Sequence, residues 1–235
     1  MTRYLIVNAD DFGLSDRVND GVAQAHETGI VTSATLMVLA PAAASAASYA
    51  RGRPQLSVGL HIDLGEWVYG ADGWTARYER VDLQDRDAVV EEVNRQVATF
   101  QNLVGAPPTH LDSHQHVHRS EPVAAVVQEL GGRLGVPVRD QSPTVTYRGD
   151  FYGQTGKGEP YPDAITVEAL LAVLDSLHVG YTELGAHPGH VEPDLDTVYR
   201  DERQLEVDIL CDPRVREEID SRAIDLVSFH DVPRT

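Results

Sequence analysis

The sequence predicts an α/β fold in the form of a (β/α) barrel that is irregular or incomplete, with about seven parallel strands. Short apolar runs alternate with helical segments along all 235 residues, the pattern of a parallel sheet with helical crossovers. Polar residues stand at or just beyond the C-terminal ends of several different runs. A barrel gathers such residues on one face, whereas an open sheet gathers only those near one switch point. We therefore expect residues 1–235 to form a single barrel domain.

The predicted strands are short apolar runs, and several of them end in polar or charged side chains. The first run, Tyr-Leu-Ile-Val-Asn-Ala, passes directly into two aspartates. The second is rich in Thr, Val and Leu, the third ends in His and Asp, and the fifth is Gly-Val-Pro-Val-Arg. In chain order the predicted strands are 4–9, 32–39, 57–64, 109–112, 135–139, 181–186 and 223–229.

Helix start and stop signals lie between the strands. Ser15 is the expected N-cap of the first helix, which closes at Gly29, and Pro41 opens an alanine-rich second helix. A segment rich in proline and glycine over 141–164 is expected to be a long irregular loop. The predicted helices are 15–28, 41–51, 85–104, 120–134, 166–178, 198–209 and 214–221.

The charge balance excludes several classes of partner. The chain has 19 Lys and Arg against 37 Asp and Glu, a formal net charge of −18. Nucleic acid binding needs clustered basic residues, so neither nucleic acid nor an anionic membrane is an expected partner. The first residues lack the pattern of a secretory leader, and the single cysteine, Cys211, cannot form an internal disulfide. We expect a cytoplasmic protein without membrane contact.

Four of the ten histidines stand at every second or fourth position between residues 110 and 118. On an extended strand alternate side chains point to one face, so a strand running into a loop would bring these imidazoles and Asp112 to one site. Imidazole and carboxylate are ligands for zinc, iron or manganese. The alternative is a solvent-facing polar loop, and the spacing does not decide which histidines would bind one ion. The four are His110, His114, His116 and His118.

Two adjacent carboxylates, Asp10 and Asp11, follow the first predicted strand. They repel each other unless a cation or proton intervenes, and one could bind a metal while the other contacts water. A helix-capping turn is the alternative, although Ser15 is better placed as the cap. His61 lies near the end of the third predicted strand, where a ligand role competes with that of a hydrogen-bonded core histidine.

Two further residues and an aromatic loop are candidates for the same site. His187 follows the sixth predicted strand and could be a general acid for an amine leaving group, or a supporting or surface histidine. Arg139 ends the fifth predicted strand and could orient a carboxylate or form a structural ion pair. Trp67, Tyr69 and Trp74 lie in one predicted loop, where they could hold a sugar ring or simply pack.

Five motifs resemble those of the YdjC-like carbohydrate deacetylases, the family of chitooligosaccharide deacetylase. They cover most of the chain in the family's order, and they are Asn8-Ala-Asp-Asp-Phe-Gly-Leu-Ser15, Gly29-Ile-Val-Thr-Ser-Ala-Thr35, Gly59-Leu-His-Ile-Asp63, Thr109-His-Leu-Asp-Ser-His-Gln-His-Val-His118 and Leu184-Gly-Ala-His-Pro-Gly189. The resemblance implies a barrel-like α/β fold related to polysaccharide deacetylases. It also implies a divalent metal bound by one aspartate and two histidines.

Carried onto this chain, the resemblance implies that Asp11, His61 and His114 hold the metal. Asp10 then matches the catalytic base and His187 the proposed acid. The expected cofactor is one divalent ion, Mg²⁺ or Zn²⁺, with Mn²⁺ as an alternative. The residues expected to touch the substrate or to support these groups are Asp63, His116, His118, Arg139 and Trp67.

The resulting hypothesis is hydrolytic removal of the N-acetyl group from an acetylated amino sugar or chitooligosaccharide, with release of acetate. One alternative is another metal-dependent barrel hydrolase, a phosphoesterase or a cyclic-amidase-like enzyme, in which His114 and His116 would bind two ions. A non-catalytic sugar- or metal-binding protein is a third. The expected partners are a small N-acetylated sugar and, by family resemblance, a second copy of the chain in a homodimer.

Overall fold

A computed structural model describes residues 2–195 and 197–233 of the chain. Its strands form one main sheet of seven strands and a separate two-stranded hairpin. In chain order the strands are β1 (Arg3–Phe12), β2 (Ser33–Leu36), β3 (Ser57–Ile62), β4 (Gly65–Gly70), β5 (Gly73–Glu79), β6 (Leu111–Ser113), β7 (Val145–Arg148), β8 (Gly180–Ala186) and β9 (Ile224–Leu226). β4 and β5 make the antiparallel hairpin, and every strand pairing in the main sheet is parallel.

The main sheet has the strand order β6-β3-β2-β1-β8-β7, and β9 pairs with β1 outside this path. β8 pairs with residues 3–9 of β1, while β9 pairs with 3–5 and β2 with 8–12. The sheet is strongly curled. His110, which precedes β6, contacts Asn8 of β1 although β3 and β2 lie between the two strands, with 3.0 Å between His110 Nε2 and Asn8 Oδ1. The prediction of an incomplete (β/α) barrel is confirmed.

Helices connect the strands, as the alternating pattern predicts. In the described part of the chain they are α1 (Asp16–Glu27), α2 (Ala43–Arg51), α3 (Arg86–Val104), α4 (Val123–Leu134), α5 (Val167–Asp175), α6 (Glu202–Leu210) and α7 (Pro213–Ser221). Ser15 caps α1 as predicted, since its hydroxyl accepts from the Val18 N–H at 3.1 Å. Among the described helices, none has both the length and the apolar character needed to cross a bilayer.

Three of the predicted segments are wrong. The expected strand over 135–139 makes only a single bridge, between Val138 and Leu111 of β6. Pro137 has no N–H to donate, which prevents a regular ladder at this edge. Conversely, β7 lies inside the predicted loop 141–164, and the hairpin of β4 and β5 occupies a region predicted as loop.

The interior of the barrel is apolar only towards the amino ends of the strands. Alternate residues of β1 join the main core between sheet and helices, whereas Ile6 belongs to a small second apolar cluster with Val145, Phe229 and Val232. The Phe229 ring stacks on the His110 imidazole, with the ring centroids 3.6 Å apart. This cluster closes one end of the barrel, so the carboxyl ends of the strands form its mouth.

Replacing Phe229 with Ala is expected to lower the free energy of unfolding by about 3 to 5 kcal/mol, because the substitution leaves a cavity where the buried ring packs against His110. Urea unfolding followed by circular dichroism measures the change. Tyr161→Ala serves as the control, since that aromatic side chain is exposed. An equal loss of unfolding free energy in the two variants would contradict this packing role of Phe229.

Candidate metal centre and active-site cavity

Two adjacent aspartates reach the same cavity because the end of β1 is irregular. Successive side chains of a regular strand point to opposite faces. Here the pairing with β2 shifts register between Ala9 and Phe12, and Asp11 takes a left-handed backbone conformation with φ of 61°. Asp10 and Asp11 are 1% and 2% exposed, and both line the cavity at the mouth of the barrel.

Three of the residues singled out from the sequence converge on one point. Asp11 Oδ1 lies 3.2 Å from His61 Nε2 and 3.1 Å from His114 Nδ1, and one ligand atom from each side chain lies within 4.8 Å of the others. Ligand atoms bound at about 2.0 to 2.2 Å to one cation, at octahedral or tetrahedral angles, stand roughly 3.0 to 3.5 Å apart. The donor set and its spacing therefore fit a single divalent ion.

A carboxylate holds His61 from behind. Its Nδ1 lies 2.8 Å from Asp112 Oδ1 and donates to it, so Nε2, on the side of Asp11, is the nitrogen that could bind a cation once it loses its proton. The Thr35 hydroxyl donates to the other Asp112 oxygen at 3.0 Å. These contacts fix both the orientation and the tautomer of the imidazole.

The electrostatics of the cluster favour positive charge. Burial lowers the pKa of each imidazole, but the neighbouring carboxylates outweigh burial. Asp112 and Asp11 hold the pKa of His61 well above its usual value. The hydrogen-bonded carboxylate of Asp11 and the nearby carboxylate of Glu66 raise the pKa of His114 to about 9. A site that attracts protons onto two neutral ligands in this way is also suited to a cation.

A buried arginine neutralises the acids beside the cluster. Arg139 donates from Nη1 and Nη2 to the two oxygens of Asp10, at 2.6 and 2.7 Å. The same guanidinium lies 2.8 Å from Asp112 and 2.6 Å from Glu183. Burial alone would raise the pKa of Asp10, but Arg139 overrides it and holds that pKa well below its usual range. Asp10 is therefore an ionised and firmly oriented carboxylate.

His187 faces Asp10 from the turn after β8. Its Nε2 lies 3.7 Å from Asp10 Oδ2, and its backbone N–H donates to the Glu206 carboxylate. The rings of Tyr152 and Tyr199 lie 5.2 and 5.1 Å from the imidazole, measured between centroids. Burial lowers the pKa of His187 to about 4, so the ring is neutral near pH 7.

The cluster lines a cavity of about 830 Å³, whose walls include the hairpin and the glycine-rich segment 149–158. Tyr69 and Trp74 of the hairpin are 43% and 56% exposed, and their ring centroids are 5.5 Å apart. Lys157, the only lysine of the chain, places Nζ 4.8 Å from the centroid of the Tyr69 ring. This contact joins the two walls.

Gln115 attaches the hairpin to the histidine segment. Its side-chain carbonyl accepts from the Trp67 N–H at 2.8 Å, and its amide donates to the Trp67 carbonyl at 2.9 Å. Gln115 and His116 both have left-handed backbone conformations, with φ of 49° and 54°. Such conformations are costly for residues other than glycine and persist where neighbouring contacts hold them. Trp67 and His116 both line the cavity.

The histidines between 110 and 118 do not share one face. β6 ends at Ser113, and the kinked 3₁₀ segment His114–Arg119 follows, so the strand alternation stops there. His114 and His116 line the cavity. His118 is instead buried against Ser113, with Nδ1 2.6 Å from the hydroxyl, and it is not among the described residues that line the cavity.

Asp63, which was expected to touch the substrate or to support the site, is not among the described residues that line the cavity. Its carboxylate accepts from the Tyr78 hydroxyl at 2.9 Å and from Arg80 Nη2 at 2.6 Å. Gln96 of α3 bonds to the backbone of Asp63 on both sides, at 3.0 and 2.7 Å. Asp63 therefore fastens the hairpin to α3.

Four buried charged residues around the site escaped the sequence analysis. Glu183 could have been found from the sequence, because a glutamate within the apolar strand β8 needs a buried partner for its charge. Glu66 lies in the hairpin that was predicted as loop. Arg203 and Glu206 lie on a helix, where charged residues are common and nothing local distinguishes them.

Known proteins resemble the chain over nearly its whole length. A family model described as YdjC-like protein matches residues 4–221. The carbohydrate deacetylase of Geobacillus stearothermophilus is 34% identical, over 98% of this chain and 98% of that protein. The chitooligosaccharide deacetylase of Serratia marcescens is 33% identical, over 99% and 100%. A crystal structure from Enterococcus faecalis V583, provisionally described as a cellobiose-phosphate cleavage protein, matches with a TM-score of 0.80 and 26% identity over 98% of each chain.

Replacing Arg139 with Met is expected to lower the free energy of unfolding by about 3 to 5 kcal/mol, because three buried carboxylates lose their shared cation. Urea unfolding at neutral pH measures the loss. Arg214→Met is the matched control. That arginine pairs with Asp212 at the surface, so its replacement should hardly change the free energy of unfolding. Similar unfolding midpoints for the two variants would contradict the central role of Arg139.

Proposed function

The chain belongs to the family of YdjC-like proteins, and from that premise we propose that it hydrolyses the N-acetyl group of an acetylated amino sugar or chitooligosaccharide, releasing acetate. Two relatives that match it end to end carry the names carbohydrate deacetylase and chitooligosaccharide deacetylase. The observation that carries the proposal is one cluster at the barrel mouth. It combines three potential metal ligands with a carboxylate and an imidazole, at Asp11, His61, His114, Asp10 and His187.

In this proposal Asp11, His61 and His114 hold one divalent ion. A bound ion of this kind would polarise the acetamide carbonyl and lower the pKa of a water molecule. Two imidazoles and a carboxylate suit Zn²⁺ well, whereas Mg²⁺ prefers oxygen ligands, and Mn²⁺ accepts both.

Asp10 is the proposed base. Arg139 keeps it ionised and fixes both oxygens, so it can accept a proton from the attacking water without rotating away. The oxygen of that water bonds to the acetyl carbon, and the bond from this carbon to nitrogen breaks. The hydroxyl leaves as part of acetate.

His187 is the proposed acid for the departing nitrogen. Burial keeps its imidazole neutral in the free protein, so the proton has to arrive during the reaction. The 3.7 Å between His187 Nε2 and Asp10 Oδ2 gives that proton a short route. The proton taken from water at Asp10 can then pass to His187 and end on the amine.

The cavity has features that suit a sugar. Trp67, Tyr69 and Trp74 present aromatic faces beside the cluster, and such faces pack against the apolar faces of pyranose rings. His116 and Arg119 add polar groups to the same lining. These features support an N-acetylated carbohydrate as the proposed substrate.

A site with two metal ions has less support than a site with one. His116 belongs to neither of the two groups of potential ligands found in the described residues. The second of these groups, Asp10, His61 and Asp112, is already served by the guanidinium of Arg139, which contacts both of its carboxylates at 2.6 to 2.8 Å. A cation placed there would meet like charge.

Three expectations from the sequence stay predictions. They are a cytoplasmic location, a homodimer, and a single catalytic domain over residues 1–235. Size-exclusion chromatography with light scattering tests the second, and limited proteolysis tests the third.

Replacing Asp11 with Ala is expected to abolish both metal content and acetate release, because the residue supplies the shared oxygen of the triad. Metal analysis of the wild-type protein should give one tightly bound ion per chain. His178→Ala is the control, since that histidine is exposed, and it should keep both properties. Full activity of Asp11→Ala after chelation, or two ions per wild-type chain, would overturn the one-metal assignment.

Replacing Asp10 with Asn is expected to lower kcat for acetate release about 10²- to 10⁴-fold while one ion stays bound, because the base is lost and the metal ligands are not. Acetate assays and metal analysis on the same preparation measure the two effects. Asp225→Asn is the control, an exposed aspartate of β9 that is not among the described residues lining the cavity, and it should keep its kcat. Nearly unchanged kcat in Asp10→Asn would remove Asp10 from the mechanism.

A further inference from the structure

Arg203 of α6 is a buried arginine that the proposed chemistry leaves without a role. It is 1% exposed and lines the cavity. Its Nη2 donates to Asp11 Oδ2 at 2.6 Å, across 192 positions of sequence. Within the described part of the chain, Asp11 is the one carboxylate in salt-bridge contact with it.

The two oxygens of Asp11 are divided between two sides. Oδ1 faces His61 and His114 at 3.2 and 3.1 Å, and Oδ2 faces the guanidinium of Arg203. Asp11 is 2% exposed, so water offers little competition for either oxygen. The ion pair therefore pins the plane of the carboxylate and leaves one oxygen for the centre of the triad.

The other nitrogens of Arg203 hold the backbone beside the proposed acid. Nε donates to the Tyr199 carbonyl at 2.7 Å, and Nη1 donates to the His187 carbonyl at 3.4 Å. Glu206, one turn further along α6, accepts from the His187 N–H and from the Tyr199 hydroxyl. One helix thus contacts both the metal-binding aspartate and the turn of His187.

That turn has almost no room to move. A Cβ added to Gly21 of α1 would stand 2.4 Å from the Cα of Gly189, so the turn lies directly on the α1 backbone. On its other side, a Cβ added to Gly189 would stand 3.1 Å from Arg203 Cδ. The Gly189 N–H also donates to the Arg203 carbonyl at 3.2 Å. Arg203 is therefore packed into the turn as well as bonded to it.

We propose that Arg203 is a positioning residue, which holds Asp11 as a one-oxygen metal ligand and keeps the turn of His187 in register with it. The inference rests on the proposed function, because it takes Asp11 as a ligand and His187 as the acid. Arg203 touches neither the ion nor the acetyl group in this role.

The guanidinium of Arg203 has two opposed effects on a cation bound by Asp11. Its contact with Oδ2 orients the ligand, while its charge repels a cation placed beside Oδ1. The dissociation constant of the metal reflects both the orientation of Asp11 and the charge repulsion, so it does not separate them. The ligand set around the ion reports only the first, so the visible spectrum of a Co²⁺-loaded protein is the diagnostic measurement.

The test compares Co²⁺-loaded, full-length wild-type protein with Arg203→Met. Without Arg203, Asp11 can turn its second oxygen to the ion, so the d–d absorption bands are expected to change in position and intensity. The kcat for N,N′-diacetylchitobiose is expected to fall roughly 10- to 100-fold, the usual cost of losing a partner of a metal ligand. KM is expected to stay within about twofold of the wild-type value, because the aromatic side chains proposed to hold the sugar are unchanged.

Val207→Ala is the matched control, a fully buried apolar residue on the same helix. It should lower thermal stability and leave the Co²⁺ bands unchanged. Arg203→Lys keeps the positive charge without the planar guanidinium, so its Co²⁺ bands and its kcat should lie between those of the wild type and those of Arg203→Met. If Arg203→Met does not fold, the comparison of Arg203→Lys with the wild type is the test. Wild-type bands in Arg203→Met, full recovery by Lys, or the same spectral change in Val207→Ala would overturn the role of Arg203. A wild-type protein that takes up no Co²⁺ and releases no acetate would instead overturn the proposed function.

Discussion

The candidate site depends on the buried guanidinium of Arg139. Its fork reaches carboxylates on three strands, namely Asp10 of β1, Asp112 of β6 and Glu183 of β8, at 2.6 to 2.8 Å. The guanidinium holds the pKa of Asp10 and of Asp112 below the usual range despite their burial, whereas burial of Glu183 outweighs Arg139 and raises the pKa of that residue to about 7. Arg139 itself follows the irregular edge segment beside β6. The same contact therefore draws the edge of the sheet towards its centre and keeps the proposed base, Asp10, ionised.

Around this centre, each side chain of the proposed metal triad has a buried charged partner on a different element. His61 has Asp112 of β6 and Asp11 has Arg203 of α6, both in direct contact. His114 has the Glu66 carboxylate of β4 as a looser neighbour, 3.9 Å from Nε2. Because the partners come from three separate elements, the triad is oriented by tertiary packing rather than by its own short motifs.

The sequence predicted the strands and helices that carry strong periodicity, and its resemblance to the YdjC-like family implied that Asp11, His61 and His114 lie together. It failed where tertiary contacts override local pattern. The spacing of the histidines suggested one shared face, but a left-handed pair at Gln115 and His116 ends the strand pattern after Ser113. That turn is held by the bonds from Gln115 to Trp67, in a hairpin that was itself predicted as loop. Nothing local in either segment reveals the contact.

Arg203 and Glu206 show the same limit for helices. An arginine on a helix is normally a surface residue, and only the packing of α6 against the turn of His187 buries this one. Asp11 is held in a left-handed conformation, which costs about 1 to 3 kcal/mol and persists only where surrounding contacts determine it. The ion pair with Arg203 is such a contact, as are the two histidines on the other oxygen. The motif that contains Asp11 can therefore indicate the proposed ligand, but the orientation of its carboxylate depends on a helix about 190 residues away in sequence.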